Sequence, residues 1–253
     1  MPQFFVRPER VKDKTFSLDG PEAYHVAKVL RRREGEEIEL FDGRGGRYRG
    51  KIVSILPDGT VEGKIAETLS ARSAGPTVRL DLYPALLKSS RWEWLLEKGT
   101  ELGVSAFHPV TTQRTVVLLH EAERIRAKGD RWSKIVMSAA KQCGRAELPA
   151  VGEPKPLRDA LAEAQKKGLV LFGWEGMSGS PAGAVLKQAL TTDGKRALTV
   201  SLFVGPEGGF TAEEVELAQS HDAILFGLGA STLRGETATI AAVSVLLYEL
   251  GVL

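Results

Sequence analysis

The pattern of apolar and polar positions changes near residue 76. Up to about residue 68, short alternating stretches are separated by glycine-rich or Pro-Asp-Gly turns, a pattern typical of β-strands. The predicted strands are FFV, FSL, the two ends of EIELFDGRGGRYRGKIVSIL, and TVEGKIAETL, with one short helix at about 21–31. We therefore predict a small β-barrel-like module in residues 1–72, with a linker at 71–76.

Residues 73–253 carry longer apolar strands that alternate with helical stretches. Strands are predicted at 78–86, 105–110, 169–172, 198–204 and 223–226. Ser90 with Glu93, and Thr211 with Glu214, match the capping-box pattern and predict two helix starts. Apolar strands between helices indicate an α/β domain with a mostly parallel sheet that is covered on both faces.

Two glycine-bearing loops follow the predicted strands at 198–204 and 223–226. The first is GPEGGFT at 205–211 and the second is GLGASTLRGETA at 227–238. The first lacks the Lys-Ser/Thr ending of a Walker loop, and Pro206 has no N–H to offer a pyrophosphate, so both common nucleotide-phosphate motifs are excluded. Ligands of parallel sheets bind beyond the carboxyl ends of the strands. We expect the loops to form one pocket; simple tight turns are the alternative.

The most apolar run, TATIAAVSVLLYEL at 237–250, predicts a buried helix. It is shorter than the ~20 residues of a membrane span and contains Glu249. Because a helix that is apolar all round must be covered on several sides, we predict a homodimer in which a second subunit covers one side. The N-terminal residues lack the apolar segment of a secretory signal. We therefore expect a cytoplasmic protein with no membrane partner.

Charge and cysteine content narrow the possible functions. The net charge is +2, and the whole excess lies in residues 1–72, with 14 basic and 12 acidic side chains. Such runs are usually solvated surface, but two basic clusters in one short module favour a polyanion such as RNA. The clusters are Arg31-Arg32-Arg33, and Arg44, Arg47, Arg49 and Lys51. A single cysteine, Cys143, and four scattered histidines predict neither a disulfide nor a metal site.

Five motifs together resemble a known family. They are GPEGGFTAEE at 205–214; Leu228-Gly229 followed by Leu233-Arg234 and Glu236-Thr237-Ala238; KGTELGV at 98–104; Gln142-x-x-Arg145; and Tyr24-His25 with VLR at 29–31 and Gly35. Their spacing matches over nearly the full chain. The chain thus resembles the RsmE-type small-subunit ribosomal RNA uridine-N3 methyltransferases.

The resemblance implies an α/β protein in which a PUA-like RNA-binding β-barrel at 1–72 precedes a SPOUT (α/β trefoil-knot) methyltransferase domain at 73–253. It also implies a homodimer, S-adenosyl-L-methionine as cofactor, and 16S rRNA or the small ribosomal subunit as partner. The implied reaction is methylation of N3 of one uridine. Two alternatives stay open: another SPOUT enzyme with a different RNA target or a ribose 2′-hydroxyl product, and a non-catalytic RNA-binding assembly factor.

The family motifs also imply site residues. The cofactor-binding residues would be Gly205, Pro206, Glu207, Gly208, Gly209, Leu228, Gly229 and Leu233. In this view the glycines leave room for the adenosyl group and the leucines contact the adenine. Glu207 either faces the sulfonium or RNA, or caps the following helix. The RNA-binding residues would be Arg31, Arg32, Arg33, Gln142 and Arg145.

Arg234 is the predicted catalytic residue. When N3 of uracil loses its proton, negative charge spreads over O2 and O4, and a permanently charged guanidinium can stabilise it. A structural ion pair from Arg234 to Glu236, or a plain surface charge, is the alternative. The sequence offers no clear general base, so water would take the proton. Ser231 and Thr232 stand where the family commonly has Arg and Ile, so one cation is missing. Either its contact comes from elsewhere, for instance from Arg145, or the target is bound differently.

Overall fold

The computed structural model describes residues 2–69, 77–115, 122–177, 183–184 and 197–253. The chain divides into two compact units. The first comprises Met1–Ser73 and Met137–Leu148, and the second comprises Ala74–Val136 and Pro149–Leu253. The predicted linker at 71–76, and with it the predicted boundary after residue 72, lies outside the described residues.

The first unit is a mixed six-stranded half-barrel in the order β1-β4-β5-β6-β3-β2. Its strands are β1 Gln3–Phe5, β2 Val11–Lys12, β3 Thr15–Leu18, β4 Glu37–Phe41, β5 Arg47–Ile55 and β6 Val61–Leu69. Only β1 and β4 pair in parallel; the other neighbours are antiparallel. Their alternating apolar residues, such as Phe4, Phe16, Leu40 and Ile52, form one core. The predicted strand-rich module is confirmed.

One helical segment closes the core of this unit. Helix α1, Gly20–Tyr24, continues into a π-helical turn over His25–Val29, in which the amide of Leu30 donates to the carbonyl of His25 at 2.9 Å. Ala23 and Val26 are buried in the core. The helix predicted at 21–31 is therefore present, with a wider last turn.

Residues 137–148 are attached to the rest of the first unit by backbone hydrogen bonds and an ion pair. Glu147 bridges to Gly43 and Arg44, and the amide of Leu148 donates to the carbonyl of Gly43 at 3.0 Å. Nζ of Lys141 lies 2.7 Å from Oε1 of Glu22. The first unit is thus built from two separate stretches of the chain.

The second unit contains a six-stranded parallel sheet in the order β10-β8-β7-β13-β12-β14. Its strands are β7 Thr77–Pro84, β8 Ala106–Phe107, β10 Ala150–Val151, β12 Leu169–Gly173, β13 Ala197–Val204 and β14 Ile224–Phe226; β9 Val110–Thr111 and β11 Lys155–Pro156 form a separate parallel pair. The described helices are α2 Ser89–Leu102, α3 Ala122–Cys143, α4 Leu157–Gln165, α5 Ala212–Ser220 and α6 Gly235–Glu249. Four of the five strand predictions for this part of the chain are confirmed. The stretch predicted as one strand at 105–110 instead forms β8 and β9, which belong to separate sheets and are divided at Pro109, a residue with no N–H to donate.

The two predicted helix starts differ in outcome. Thr211 caps α5 through the complete capping box with Glu214, as predicted. The capping box at Ser90 and Glu93 is wrong: α2 begins at Ser89 after Lys88, with no side-chain cap. Glu93 instead binds Arg131, with Nε 2.7 Å from Oε1. An ion pair thus takes the carboxylate that the capping box would have used.

The register of the sheet brings four strand ends to one edge. Val204 at the end of β13 is paired with Pro84 of β7 and with Gly173 of β12, and Gly173 is paired with Phe226 of β14. The segments that leave β12, β13 and β14 therefore start side by side. This edge of the sheet holds the candidate site.

Candidate active site

A crevice that opens to solvent lies at the carboxyl ends of β12, β13 and β14; its empty space, including the solvent at its mouth, is about 820 Å³. The two glycine loops meet there, as predicted. The described wall consists of Gly173, Trp174, Glu175, Val204, Gly205, Pro206, Glu207, Gly209, Phe210, Phe226, Leu228, Gly229, Ala230, Ser231, Thr232, Leu233, Gly235 and Ala238. Backbone, small side chains and aromatic rings dominate this wall, so it suits a flat, largely apolar ligand group with a few polar edges.

Seven of the eight predicted cofactor-binding residues lie in this wall. They are Gly205, Pro206, Glu207, Gly209, Leu228, Gly229 and Leu233. Gly208 is not part of it. The side chain of Arg114 covers Gly208, and its Nη1 donates to the Gly208 carbonyl at 2.5 Å. Arg114 therefore packs against the first glycine loop and stabilises it from outside the crevice.

Glycine is required for different reasons at different positions of the wall. A Cβ on Gly205 would lie 3.1 Å from the ring of Phe210, so this glycine permits packing within the protein. Gly229 has φ +101°, and nothing lies within 4 Å of where its Cβ would be. A side chain there would be strained, and it would extend into open space. The room for a ligand is therefore clearest at Gly229.

Arg91 of α2 joins the two glycine loops. Its Nη1 lies 2.5 Å from Oε1 of Glu207, and its Nε lies 3.5 Å from Oε1 of Glu236 in the first turn of α6. Glu207 thus does not cap α5, which is capped by Thr211. The other carboxylate oxygen of Glu236 is buried and accepts no hydrogen bond from the described residues. One guanidinium therefore faces two carboxylates.

Arg234 occupies the N-cap position of α6 without forming a side-chain cap. Its neighbours Leu233 and Gly235 line the crevice, whereas its own exposed side chain is not part of the wall. Within the described part of the chain its guanidinium has no ion pair or hydrogen bond. The alternative pairing with Glu236 is not formed, because Glu236 faces Arg91.

Sequence reasoning missed three contributors to this region. Trp174 and Glu175 follow β12 and line the crevice, and the amide of Trp174 donates to the carbonyl of Phe226 at 2.9 Å. The rule that directs attention to strand ends would have found them, because the strand at 169–172 was predicted. Arg91 carried no comparable signal, since its role depends on carboxylates 116 and 145 positions further along the chain.

The five predicted RNA-binding residues all belong to the first unit. Arg31, Arg33 and Gln142 are exposed, whereas Arg32 pairs with Glu36 at 3.0 Å. Arg145 is half-buried, and burial lowers the pKa of its guanidinium although the nearby Glu147 and Cys143 act in the opposite direction. Ser231 and Thr232, which replace the cation and the isoleucine of the family pattern, are exposed in the crevice wall.

A buried carboxylate in the second unit, Asp81, is surrounded by basic side chains that are partly exposed. Asp81 on β7 is 1% exposed, with its carboxylate 2.9 Å from Nε of Arg79, 3.2 Å from Nζ of Lys167 and 3.4 Å from Nε2 of His108. Lys167 also donates to the hydroxyl of Tyr83 at 3.0 Å. Burial alone would raise the pKa of Asp81, but these hydrogen bonds and charges outweigh it and lower the pKa.

The other reactive or charged side chains singled out in the sequence form only local contacts. The thiol of Cys143 donates to the carbonyl of Ala140 at 3.6 Å, and Lys98 pairs with Glu101 at 2.9 Å. Among the described residues, no three histidine, cysteine or acidic side chains are grouped to bind a metal ion. None of the described helices combines the length and apolar character of a membrane span.

Two known protein families match this chain, one in its N-terminal part and one in the remainder. Residues 18–66 match the model of the RNA methyltransferase PUA domain, and residues 74–247 match that of the RNA methyltransferase domain. The chain is 31% identical to ribosomal RNA small subunit methyltransferase E of Bacillus subtilis over 93% of its own length and 90% of the relative's. It is 32% identical to the protein of that name from Synechocystis, covering 94% and 75% of the two chains.

A solved structure supports the same relationship. The crystal structure of ribosomal RNA small subunit methyltransferase E from Neisseria gonorrhoeae, bound to S-adenosyl methionine, superposes with a TM-score of 0.82. The match covers 98% of this chain and 97% of that chain, at 28% sequence identity.

Proposed function

The chain belongs to the ribosomal RNA small subunit methyltransferase E family, and from this membership we propose that it methylates N3 of one uridine in 16S rRNA. It is an RNA methyltransferase with a PUA-like domain and a SPOUT-type methyltransferase domain. The observation that carries the proposal is the glycine-walled crevice at the carboxyl ends of three adjacent parallel strands.

The cofactor is S-adenosyl-L-methionine, and the crevice fits its chemistry. Open space beside Gly229 allows close approach to the backbone, and Leu228 and Leu233 offer apolar surface for an adenine ring. Polar ring edges would be satisfied by backbone groups of the glycine loops, since buried polar groups need partners. The bound cofactor supplies the methyl group as the electrophile.

Arg234 would act on the RNA base. It adjoins the crevice between two wall residues, and its guanidinium has no partner in the described part of the chain. It is therefore free to donate hydrogen bonds to O2 or O4 of the uracil, where negative charge develops as N3 loses its proton. Glu207 and Glu236 are held by Arg91. The proton would leave to water, which has access to the crevice.

The first unit would bind the RNA backbone. Arg31 and Arg33 are exposed and lack ion pairs within the described residues, and Gln142 is an exposed donor in the same unit. Such cations neutralise phosphates and release counterions. Arg145 is half-buried, so its guanidinium is held in place. A positioned cation binds a phosphate with less rearrangement than a mobile, fully solvated one.

A homodimer is part of the proposal. Helix α6 buries Thr239, Ala242, Val243, Leu246 and Leu247, but Val245 and Tyr248 are exposed. Trp94, on the helix α2 that packs against α6, is also 41% exposed. These apolar side chains favour a second subunit on this side. A C-terminal trefoil knot and a cytoplasmic location, where ribosomal RNA is found, complete the proposal.

The test is methylation of free 16S rRNA and of intact small subunits with labelled S-adenosyl-L-methionine, followed by mapping of the modified nucleoside. We expect 3-methyluridine at one position. A 2′-O-methyl product would instead support another SPOUT activity. Retained RNA binding with no cofactor binding in calorimetry would favour the assembly factor.

A further inference from the structure

One carboxylate in the crevice wall, that of Glu175, has no partner among the residues that the structure describes. Glu175 lies two residues after the end of β12, at the start of a one-turn 3-10 helix, Glu175–Met177. Its side chain is exposed and lines the crevice. No described residue forms an ion pair or a side-chain hydrogen bond with it. Its Oε1 lies over the turn of the first glycine loop, where a Cβ on Gly209 would be only 3.1 Å away. A carboxylate that no described side chain neutralises thus lies against the loop that walls the crevice.

The other carboxylates around the crevice are neutralised or engaged. Glu207 lines the wall but lies 2.5 Å from Arg91, and Glu236 faces the same guanidinium. Glu214 accepts hydrogen bonds from the amides of Thr211 and Gln113 at 2.9 and 2.8 Å. Glu175 and Glu207 are the only charged side chains in the described wall. Counting only described residues, the negative charge of Glu175 is the one charge of this wall that no side chain neutralises.

The methyl donor and its product differ by one positive charge. S-adenosyl-L-methionine carries a sulfonium, whereas S-adenosyl-L-homocysteine has a neutral thioether and is otherwise the same apart from the methyl group. Because Glu175 lines the crevice but borders solvent, its carboxylate attracts the cation more strongly than it would in bulk water and less strongly than in a dry pocket. It has no such preference for the thioether.

We propose that Glu175 makes the crevice select the positively charged methyl donor over its neutral demethylated product. This inference rests on the proposed function, because it requires the crevice to bind that cofactor. Its consequence is that the attraction is lost when the methyl group leaves, so the spent cofactor dissociates more readily than the fresh donor.

The test is calorimetric binding of three probes: S-adenosyl-L-methionine, S-adenosyl-L-homocysteine and sinefungin, in which an amine-bearing carbon replaces the sulfonium. We expect Glu175→Gln to weaken both cationic probes about tenfold and to leave the neutral product's affinity unchanged. Glu175→Asp keeps the charge and should retain most of the preference. Glu216→Gln, which removes an exposed carboxylate on α5 outside the crevice wall, should change none of the affinities.

Ionic strength provides a second readout. The preference of the unmodified protein for the cationic probes should shrink as salt rises, because charge attraction at an exposed group is screened, whereas Glu175→Gln should show little salt dependence. The missing methyl group of the product affects every variant alike, so it cancels when the donor-to-product ratios are compared.

Two results would overturn the inference alone. Equal weakening of all three probes would mean that Glu175 contacts a part they share, such as the ribose hydroxyls, and unchanged affinities would mean no contact. In both cases the unmodified protein still binds the donor, so the proposed function stands. If the unmodified protein binds none of the probes, the proposed function fails and the inference fails with it.

Discussion

At the scale of single residues, Arg234 lies beside the crevice, and its side chain makes no contact with the described residues that would stabilise the fold. Its side chain is exposed, caps nothing and pairs with no described residue. Replacing it should therefore leave the fold intact, in contrast to Arg91, whose guanidinium connects the two glycine loops.

We predict that Arg234→Ala lowers the rate of methyl transfer by at least about 100-fold, the usual loss when one donor to a developing negative charge is removed. Cofactor affinity and melting temperature should stay within error of the unmodified protein. Single-turnover kinetics with calorimetry measures both. A methyl-transfer rate close to that of the unmodified protein would refute the proposed role.

The arginine run at 31–33 makes a second residue-scale prediction, because its members are not equivalent. Arg31→Ala and Arg33→Ala should each reduce the slope of log affinity against log salt by about one for RNA binding. Arg32 already pairs with Glu36, so Arg32→Ala is the matched control and should have a smaller effect. Filter binding over a salt series measures the slopes; three equal slopes would contradict this assignment.

Asp81 predicts a pH dependence of stability. Its pKa is lowered in the folded protein, so its contribution is complete above the unfolded pKa of about 3.9 and is lost as pH falls through the lower folded pKa. Asp81→Asn should cost about 2 kcal/mol at pH 7, since it removes charge-assisted hydrogen bonds to a buried carboxylate, while its partners Arg79 and Lys167 stay in reach of solvent. The gap to the unmodified protein should narrow below about pH 4. Urea unfolding at several pH values measures it, and a constant gap would exclude the linkage.

At the scale of secondary-structure elements, the two capping-box patterns offer a direct comparison. Thr211→Ala removes the cap of α5 and should lower the free energy of unfolding by about 1 kcal/mol. Ser90→Ala is the matched control: Ser90 is exposed and α2 has no side-chain cap, so the change should stay within about 0.5 kcal/mol. Denaturant unfolding of the two variants measures this, and equal losses would show that the pattern at Ser90 also caps its helix in solution.

The elements themselves were largely predictable from sequence, and so was the meeting of the two glycine loops. Long apolar strands and the strand-end rule depend on local pattern, which a single sequence displays. The failures concern long-range pairing. Glu93 binds Arg131 instead of capping α2, and of the roles left open for Glu207 the cap of α5 is excluded, because its carboxylate binds Arg91. A carboxylate near a helix start has several possible partners, and only the tertiary structure decides which one lies close enough.

At the scale of the whole molecule, the proposed dimer can be tested separately from catalysis. Val245→Glu with Tyr248→Glu places two charges among the exposed apolar side chains of α6. We expect the variant to sediment as a monomer with an unchanged circular dichroism spectrum, because a buried charge at an interface is costly while an exposed one is not. Val53→Glu, at a residue of β5 that is 51% exposed, is the control and should remain dimeric.

An unchanged sedimentation coefficient for the double variant would show that α6 does not form the subunit interface.

The two-part composition of the first unit has a consequence for its synthesis. Residues 137–148 supply Glu147, which bridges to Gly43, and Lys141, which pairs with Glu22. A polypeptide truncated after residue 73 would lack these partners. During translation this unit therefore cannot be completed until residue 148 has left the ribosomal exit tunnel, roughly twice as late as its first stretch alone would suggest.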